Sequence, residues 1–240
     1  MDRDAFILVG GKGTRLRGIL NDRPKPLALV AGRPFVEWLL VMLYKQGIRR
    51  CVMCTGHLGK AVEAYFGNGQ KNSMEIVYSR DPFPLGTAGA VRFAIGKTKS
   101  ERFLVLNGDS YCRLDLPYFL KTHQVLNAKA SLNLVRVKDC SRYGSVKINK
   151  KGKVLAFSEK SSRKHEGLIS TGIYVLERTV VEEIPEGKMV SLEKEVFPSL
   201  IGKGLYAVIS EGPFIDIGIP ESYIKAESIL KVEFENLFKN

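Results

Sequence analysis

Two stretches near the start of the chain carry residues suited to holding phosphate. Val9-Gly10-Gly11-Lys12-Gly13-Thr14-Arg15-Leu16 follows a short apolar run and precedes a helical turn. Glycines in that position let backbone N–H groups approach an anion closely. A P-loop is excluded, because no Lys-Ser or Lys-Thr follows a suitably spaced glycine. A dinucleotide fingerprint is excluded as well, because Leu16 stands where the third glycine would fall when counting from Gly11. A purely structural turn would give no reason for Arg15. Farther on, Lys25 lies between Pro24 and Pro26. Two prolines predict a stiff, extended backbone, which makes Lys25 a fixed point charge for a phosphate.

Two carboxylates extend the pattern. Asp109 closes an apolar run through Asn107-Gly108, and Asp216 lies in a second strand-like apolar run with no basic residue beside it in the chain. Carboxylates far apart in sequence can converge on one hard cation, with phosphate oxygens and water completing the shell.

The elements that must position these groups can be read from periodicity. In the first half, apolar runs at 5–9, 50–55, 75–79 and 103–106 alternate with helical patterns at 34–46, 58–66 and 87–95. Strands alternating with helices imply βαβ units and a mostly parallel sheet, with ligands taken at the carboxyl ends of the strands. After about residue 110 the pattern becomes mixed. Strands are expected at 130–137, 169–176 and 206–209, with a hairpin of 144–148 and 153–157 about Asn149-Lys150-Lys151-Gly152. Helices are expected at 192–200 and 221–234. The expected architecture is α/β, a mostly parallel mixed sheet flanked by helices, with a smaller mixed lobe on the carboxyl side. No repeat or low-complexity linker divides it.

Composition narrows the function classes. Of 240 residues, 45% are hydrophobic and 26% charged, an ordinary globular balance. No apolar run approaches the roughly 20 residues needed to span a bilayer. The start, Met1-Asp2-Arg3-Asp4, has no cleavage-site pattern, so a cytoplasmic protein without membrane contact is expected. The net charge of +12 suits anionic partners. The basic residues are dispersed, however, apart from the 147–153 cluster at the hairpin tip, so nucleic acid is not an expected partner. Cys51 and Cys54 form a C-x-x-C inside a buried strand. Positions three apart face opposite sides there, so neither a redox pair nor a zinc site is expected.

Taken together, Gly10-Gly11-Lys12-Gly13-Thr14-Arg15-Leu16 and Arg23-Pro24-Lys25-Pro26 resemble the signature of sugar-phosphate nucleotidylyltransferases. Five further segments match in the same order. They are 85–90 (Leu-Gly-Thr-Ala-Gly-Ala), 107–109 (Asn-Gly-Asp), 157–160 (Phe-Ser-Glu-Lys), 170–174 (Ser-Thr-Gly-Ile-Tyr) and 214–218 (Phe-Ile-Asp-Ile-Gly). The resemblance covers residues 4–230. It implies a Rossmann-like, GT-A-like nucleotidyltransferase domain over 1–240, with a nucleotide-binding half over about 1–110 and a sugar-phosphate-binding half over about 111–240. It leaves no room for the added β-helical domain of longer relatives.

The implied reaction is attack of a sugar 1-phosphate oxygen on the α-phosphorus of a nucleoside triphosphate, with Mg²⁺ as cofactor. The resemblance assigns Arg15 to the β/γ-phosphates, Lys25 to the α-phosphate, and Asp109 and Asp216 to Mg²⁺. Arg15, Lys25 and Asp109 form its catalytic group. Val9, Gly10, Gly11, Gly13, Thr14, Gly86 and Thr87 complete the nucleotide side. Asn107, Gly144, Glu159, Lys160, Thr171 and Gly172 form the sugar-phosphate side, where Lys160 holds the phosphate and Glu159 a hydroxyl. Asp81 falls at the register where some relatives place a base-reading side chain. A carboxylate accepts the paired N1–H and amine of guanine, which favours GTP.

Short length and the Val9-Gly10-Gly11 start favour D-glycero-α-D-manno-heptose 1-phosphate as the sugar. Mannose 1-phosphate with GTP, or N-acetylmuramate 1-phosphate with UTP, is the alternative. A homo-oligomer is compatible with this reading. A silent regulatory subunit would be expected to lack one of Arg15, Lys25, Asp109 and Asp216, and all four are present.

Overall fold

Near-continuous runs of Val, Ile, Leu, Phe and Cys become strands here because both faces of the sheet they form are covered by helices. A computed structural model of the chain describes residues 4–11, 13, 16–20, 23–158 and 164–239. In chain order the strands are β1 (Asp4–Leu8), β2 (Leu29–Val30), β3 (Arg33–Pro34), β4 (Arg50–Thr55), β5 (Glu75–Arg80), β6 (Arg102–Asn107), β7 (Ser110–Cys112), β8 (Ala130–Val137), β9 (Ser145–Ile148), β10 (Val154–Ser158), β11 (Gly167–Glu177), β12 (Leu205–Ser210) and β13 (Phe214–Asp216). The helices are α1 (Arg17–Leu20), α2 (Phe35–Lys45), α3 (Gly59–Phe66), α4 (Gly86–Ala94), α5 (Leu116–Val125), α6 (Arg178–Glu182), α7 (Phe197–Ser199) and α8 (Pro220–Lys239).

Among the described residues, nine strands form one sheet. The path β5-β4-β1-β6 is parallel throughout. β11 then runs antiparallel to β6 and to β8 on its other side, and β12 closes that edge parallel to β8. Alternation along each strand divides the core between two layers. Ala5, Ile7, Cys51, Met53, Leu104, Leu106, Ile173 and Val175 pack under α2 and α8. Phe6, Val52, Cys54, Phe103, Val105, Tyr174 and Leu176 pack on the other face under α4. Each large side chain so buried contributes about 1.5–3 kcal/mol. Cys51 and Cys54 thus sit on opposite faces, both buried, and burial pushes both thiols well above their ordinary range.

In the smaller lobe, β9 and β10 join the main sheet at its edge through the pairing of Ile169 with Ser145. The reason lies in β11, whose register against β8 shifts between Ser170 and Tyr174. Its first half continues past the end of the β6 ladder and offers β9 a free edge. At the hairpin tip, Asn149 Oδ1 accepts from the backbone N–H groups of Lys151 and Lys153, as an Asx turn should. The helix expected at 192–200 is a π turn over Leu192–Val196 followed by the single turn of α7. Helix α5 was not legible as a period, yet Asp115 caps it by accepting from Tyr118 N at 2.8 Å.

Candidate functional site

The sheet order reverses at β1, with β4 on one side and β6 on the other, so connections leave its carboxyl end in opposite directions. Open α/β sheets hold ligands in the crevice this creates. A cleft of about 820 Å³ lies there. Its floor is the end of β1 at Val9-Gly10-Gly11, the end of β4 at Gly56, and Asn107-Gly108-Asp109 after β6. One wall is the segment from Asp81 to Thr87, and Met189 stands at the rim.

Lys25 and Asp109 meet in this cleft at 2.5 Å between Nζ and Oδ2. Lys25 does not lie on extended backbone as the flanking prolines suggested. Pro24 is extended, but Lys25 opens a 3-10 turn closed by Leu27 N on Pro24 O and Ala28 N on Lys25 O. Pro26 is tolerated there because the second residue of such a turn has no internal partner for an N–H. Gly13, at φ +58°, makes room for the lysine stem. A Cβ at Gly13 would stand 3.1 Å from Lys25 Cβ. Thr14 and Arg15 lie outside the described residues, as do Glu159 and Lys160.

Asp81 is fixed at the end of β5 by its N–H, which donates to Thr55 O at 2.8 Å. Its Oδ1 is buried without a hydrogen-bond partner. Burial pushes its pKa up to about 6. A buried, unsatisfied carboxylate oxygen in a cleft is costly to the protein alone and is a recurrent mark of a ligand site. Asn107 Oδ1 is likewise buried and unpartnered. Gly172, at φ +80° in the irregular part of β11, lies against it, and a Cβ there would come within 2.8 Å of Asn107 Nδ2. Asn107 and Gly172 are therefore neighbours although 65 positions separate them in the chain.

Two residues of the expected site, Thr87 and Thr171, have side chains hydrogen-bonded within the protein. Thr87 lines the cleft beside Gly86, but its hydroxyl donates to Glu193 Oε2 at 2.7 Å and accepts from Leu192 N at 2.8 Å. Its single proton is spent on the π turn. Thr171 is buried and donates to Asn133 O and Oδ1 at 3.1 and 2.8 Å. Its side chain enters the sheet because the β11 bulge turns it away from Gly172. Gly144 lies close to Ser158 O, between the strands of the hairpin lobe.

Asp216 is brought to Asp109 by the backbone. β13 pairs antiparallel with β7, Asp216 opposite Ser110, and Ile217 N donates to Asp109 O at 2.9 Å. The Asp216 carboxylate, 15% exposed, lines an adjoining recess of about 140 Å³. Gly218 N and the Tyr143 hydroxyl donate to it, and Arg142 approaches both its oxygens at 3.3 Å. The basic neighbour missing from its local sequence is thus supplied by a residue 74 positions earlier.

Sequence reasoning missed three groups. Phe83 lines the cleft and is 50% exposed. Its place between Pro82 and Pro84 is the same bracket that singled out Lys25. Glu193 accepts from Thr87, Ser191 and the buried Tyr174 hydroxyl, tying α4 to β11. Arg142 and Tyr143 directly precede Gly144, an adjacency that offered a signal; Glu193 had none.

Comparison with known proteins agrees with this fold. The chain belongs to the nucleotidyl transferase family, which it matches over residues 4–232. It is 37% identical to the mannose-1-phosphate guanylyltransferase of Mycobacterium tuberculosis over 95% of its length, and spans 64% of that protein. It is also 37% identical to the D-glycero-alpha-D-manno-heptose 1-phosphate guanylyltransferase of Aneurinibacillus thermoaerophilus, covering 95% of this chain and 98% of that one. The crystal structure of HddC from Yersinia pseudotuberculosis complexed with GMP-PN superposes with a TM-score of 0.82 at 32% identity, covering 94% and 98% of the two chains.

Proposed function

We propose that this chain is a guanylyltransferase that moves GMP from GTP to a sugar 1-phosphate, with D-glycero-α-D-manno-heptose 1-phosphate as the sugar substrate. The observation that carries this reading is similarity to a heptose 1-phosphate guanylyltransferase over 95% of this chain and 98% of that one, combined with a cleft that pairs Lys25 with Asp109. A sugar phosphate oxygen, already ionised at neutral pH, attacks the α-phosphorus of GTP. The α–β bridge breaks, GDP-heptose forms and pyrophosphate leaves. No general base is needed, and fixed positive charge is what the transition state requires.

In this reading Lys25 bears on the α-phosphate and Arg15 on the β/γ-phosphates. Val9, Gly10, Gly11, Gly13 and Gly86 offer backbone to the nucleotide, and Asp81 accepts from the guanine edge. Asn107, Gly144, Gly172, Glu159 and Lys160 serve the sugar phosphate. Asp109 and Asp216 would hold Mg²⁺, which would neutralise charge on the phosphates. Their chemistry fits that ion: both are hard carboxylate donors, Asp109 in the turn before β7 and Asp216 on β13, the strand paired with β7. Among the described residues no group of three or more His, Cys, Asp or Glu forms a metal site, in keeping with an ion that shares its shell with water and substrate phosphates. No helix among the described residues is long and apolar enough to cross a membrane, and we place the enzyme in the cytoplasm.

The test is a crossed screen of GTP, ATP, UTP and CTP against heptose, mannose and N-acetylmuramate 1-phosphates, read by pyrophosphate release. GTP with the heptose phosphate should give the highest kcat/KM. Greater activity with mannose 1-phosphate would overturn the sugar, and greater activity with UTP the base.

A further inference from the structure

We propose that Arg142 is a displaceable counter-ion of Asp216 and thereby sets the affinity of the divalent-cation site; this rests on the reading of Asp109 and Asp216 as its ligands. A carboxylate offers about four lone-pair positions. Asp216 has four donor contacts already: Gly218 N on Oδ1, the Tyr143 hydroxyl on Oδ2, and Arg142 Nη2 on each oxygen. A cation that takes an oxygen of Asp216 must therefore displace a donor.

The contacts differ in how readily they give way. Gly218 N is backbone, two residues away, and donates at 2.8 Å. The Tyr143 ring is packed edge-on to Phe214, with centroids 6.0 Å apart, which holds its hydroxyl against Asp216. Arg142 is 42% exposed and makes two long contacts of 3.3 Å from a single nitrogen. Half-exposed ion pairs with such geometry hold weakly. Arg142 is the donor that leaves, because a divalent ion offers Asp216 twice the charge. Its guanidinium also lies 5.3 Å from the Tyr143 ring centroid, which gives the displaced group an aromatic face to rest on.

Asp109 is arranged alike, since Lys25 is its basic partner at 2.5 Å. Both proposed ligands thus carry one basic side chain each. Cation binding exchanges with those two charges rather than adding to bare carboxylates.

The test is titration with Mn²⁺, reading the free ion by electron paramagnetic resonance, on the wild type and three variants. Arg142→Ala should tighten Mn²⁺ binding about two- to fivefold, the factor expected for loss of a half-exposed competing charge. Arg142→Lys keeps a competing charge and should stay near the wild type. The gap between Arg142→Ala and the wild type should narrow as ionic strength rises. Asp216→Asn should weaken binding strongly. Unchanged or weaker binding in Arg142→Ala, with Asp216→Asn still impaired, would overturn the counter-ion role and leave the metal ligands standing. Normal binding in Asp216→Asn would overturn both together. Circular dichroism of each variant separates these outcomes from misfolding.

Discussion

A carboxylate oxygen with no partner is expensive to bury, and Asp81 presents one inside the cleft. Its raised pKa, about 6, has burial as its cause. Guanine recognition through Asp81 needs the ionised form, because only that form accepts both base donors without offering one of its own. An acid with a raised pKa is ionised above that value and neutral below it. Preference for GTP over ATP should therefore be full near pH 8 and fall as the pH drops through about 6. Asp81→Ala should lose on the order of 1–3 kcal/mol of that preference at pH 8. The measurement is the kcat/KM ratio for GTP and ATP at pH 5.5 and 8 in both proteins. A ratio indifferent to both pH and the substitution would end this role for Asp81. Its place at the carboxyl end of a strand was legible in the sequence. Its missing partner was not, since solvation is a property of what surrounds a group.

At the scale of elements, β11 decides most. It is antiparallel to β6 and β8 and changes register between Ser170 and Tyr174. The change turns Thr171 into the sheet, sets Gly172 against Asn107 and frees an edge for β9. Gly172 stands at φ +80°, where a side chain is strained, and a Cβ there would push on the Asn107 amide. Gly172→Ala should cost about 1–3 kcal/mol of stability, lowering Tm by about 2–4 °C per kcal/mol in a chain of this size. It should also raise KM for the sugar phosphate more than KM for GTP, because Asn107 would move. Thermal unfolding together with the two KM values checks this. A change in Tm with both KM values untouched would restrict Gly172 to a structural part.

Across the whole molecule, the sheet is covered on both faces, and buried polar groups tie its second half together. His123 of α5 is fully buried, with Nδ1 2.8 Å from Ser131 Oγ on β8 and Nε2 2.9 Å from Glu177 Oε1 on β11. Burial lowers its pKa below the ordinary 6.5, against the opposing pull of Glu177. Below pH 6.5 the unfolded chain takes up a proton at His123 that the folded chain still resists. The folded state therefore loses stability as the pH falls through that value. Urea unfolding between pH 8 and 5.5 should show the decline, and His123→Asn should flatten it. An equal slope in the variant would assign the decline to other groups.

Local chemistry written along the chain was enough to determine the alternation of β1, α2, β4, α3, β5, α4 and β6, the parallel first half, the glycine loop, and the separation of Cys51 from Cys54 onto opposite faces. Side-chain direction alternates along a strand and recurs along a helix, so a period records which face a residue shows. It does not record what lies across from that face. Only the tertiary structure decided that Lys25 meets Asp109, that Arg142 and Tyr143 close on Asp216 from 74 and 73 positions away, and that Thr87 spends its hydroxyl on Glu193, 106 positions later. Each of these contacts depends on how strands are ordered in the sheet and where β11 slips its register. Those are outcomes of packing the two faces at once, and no local window of residues contains them.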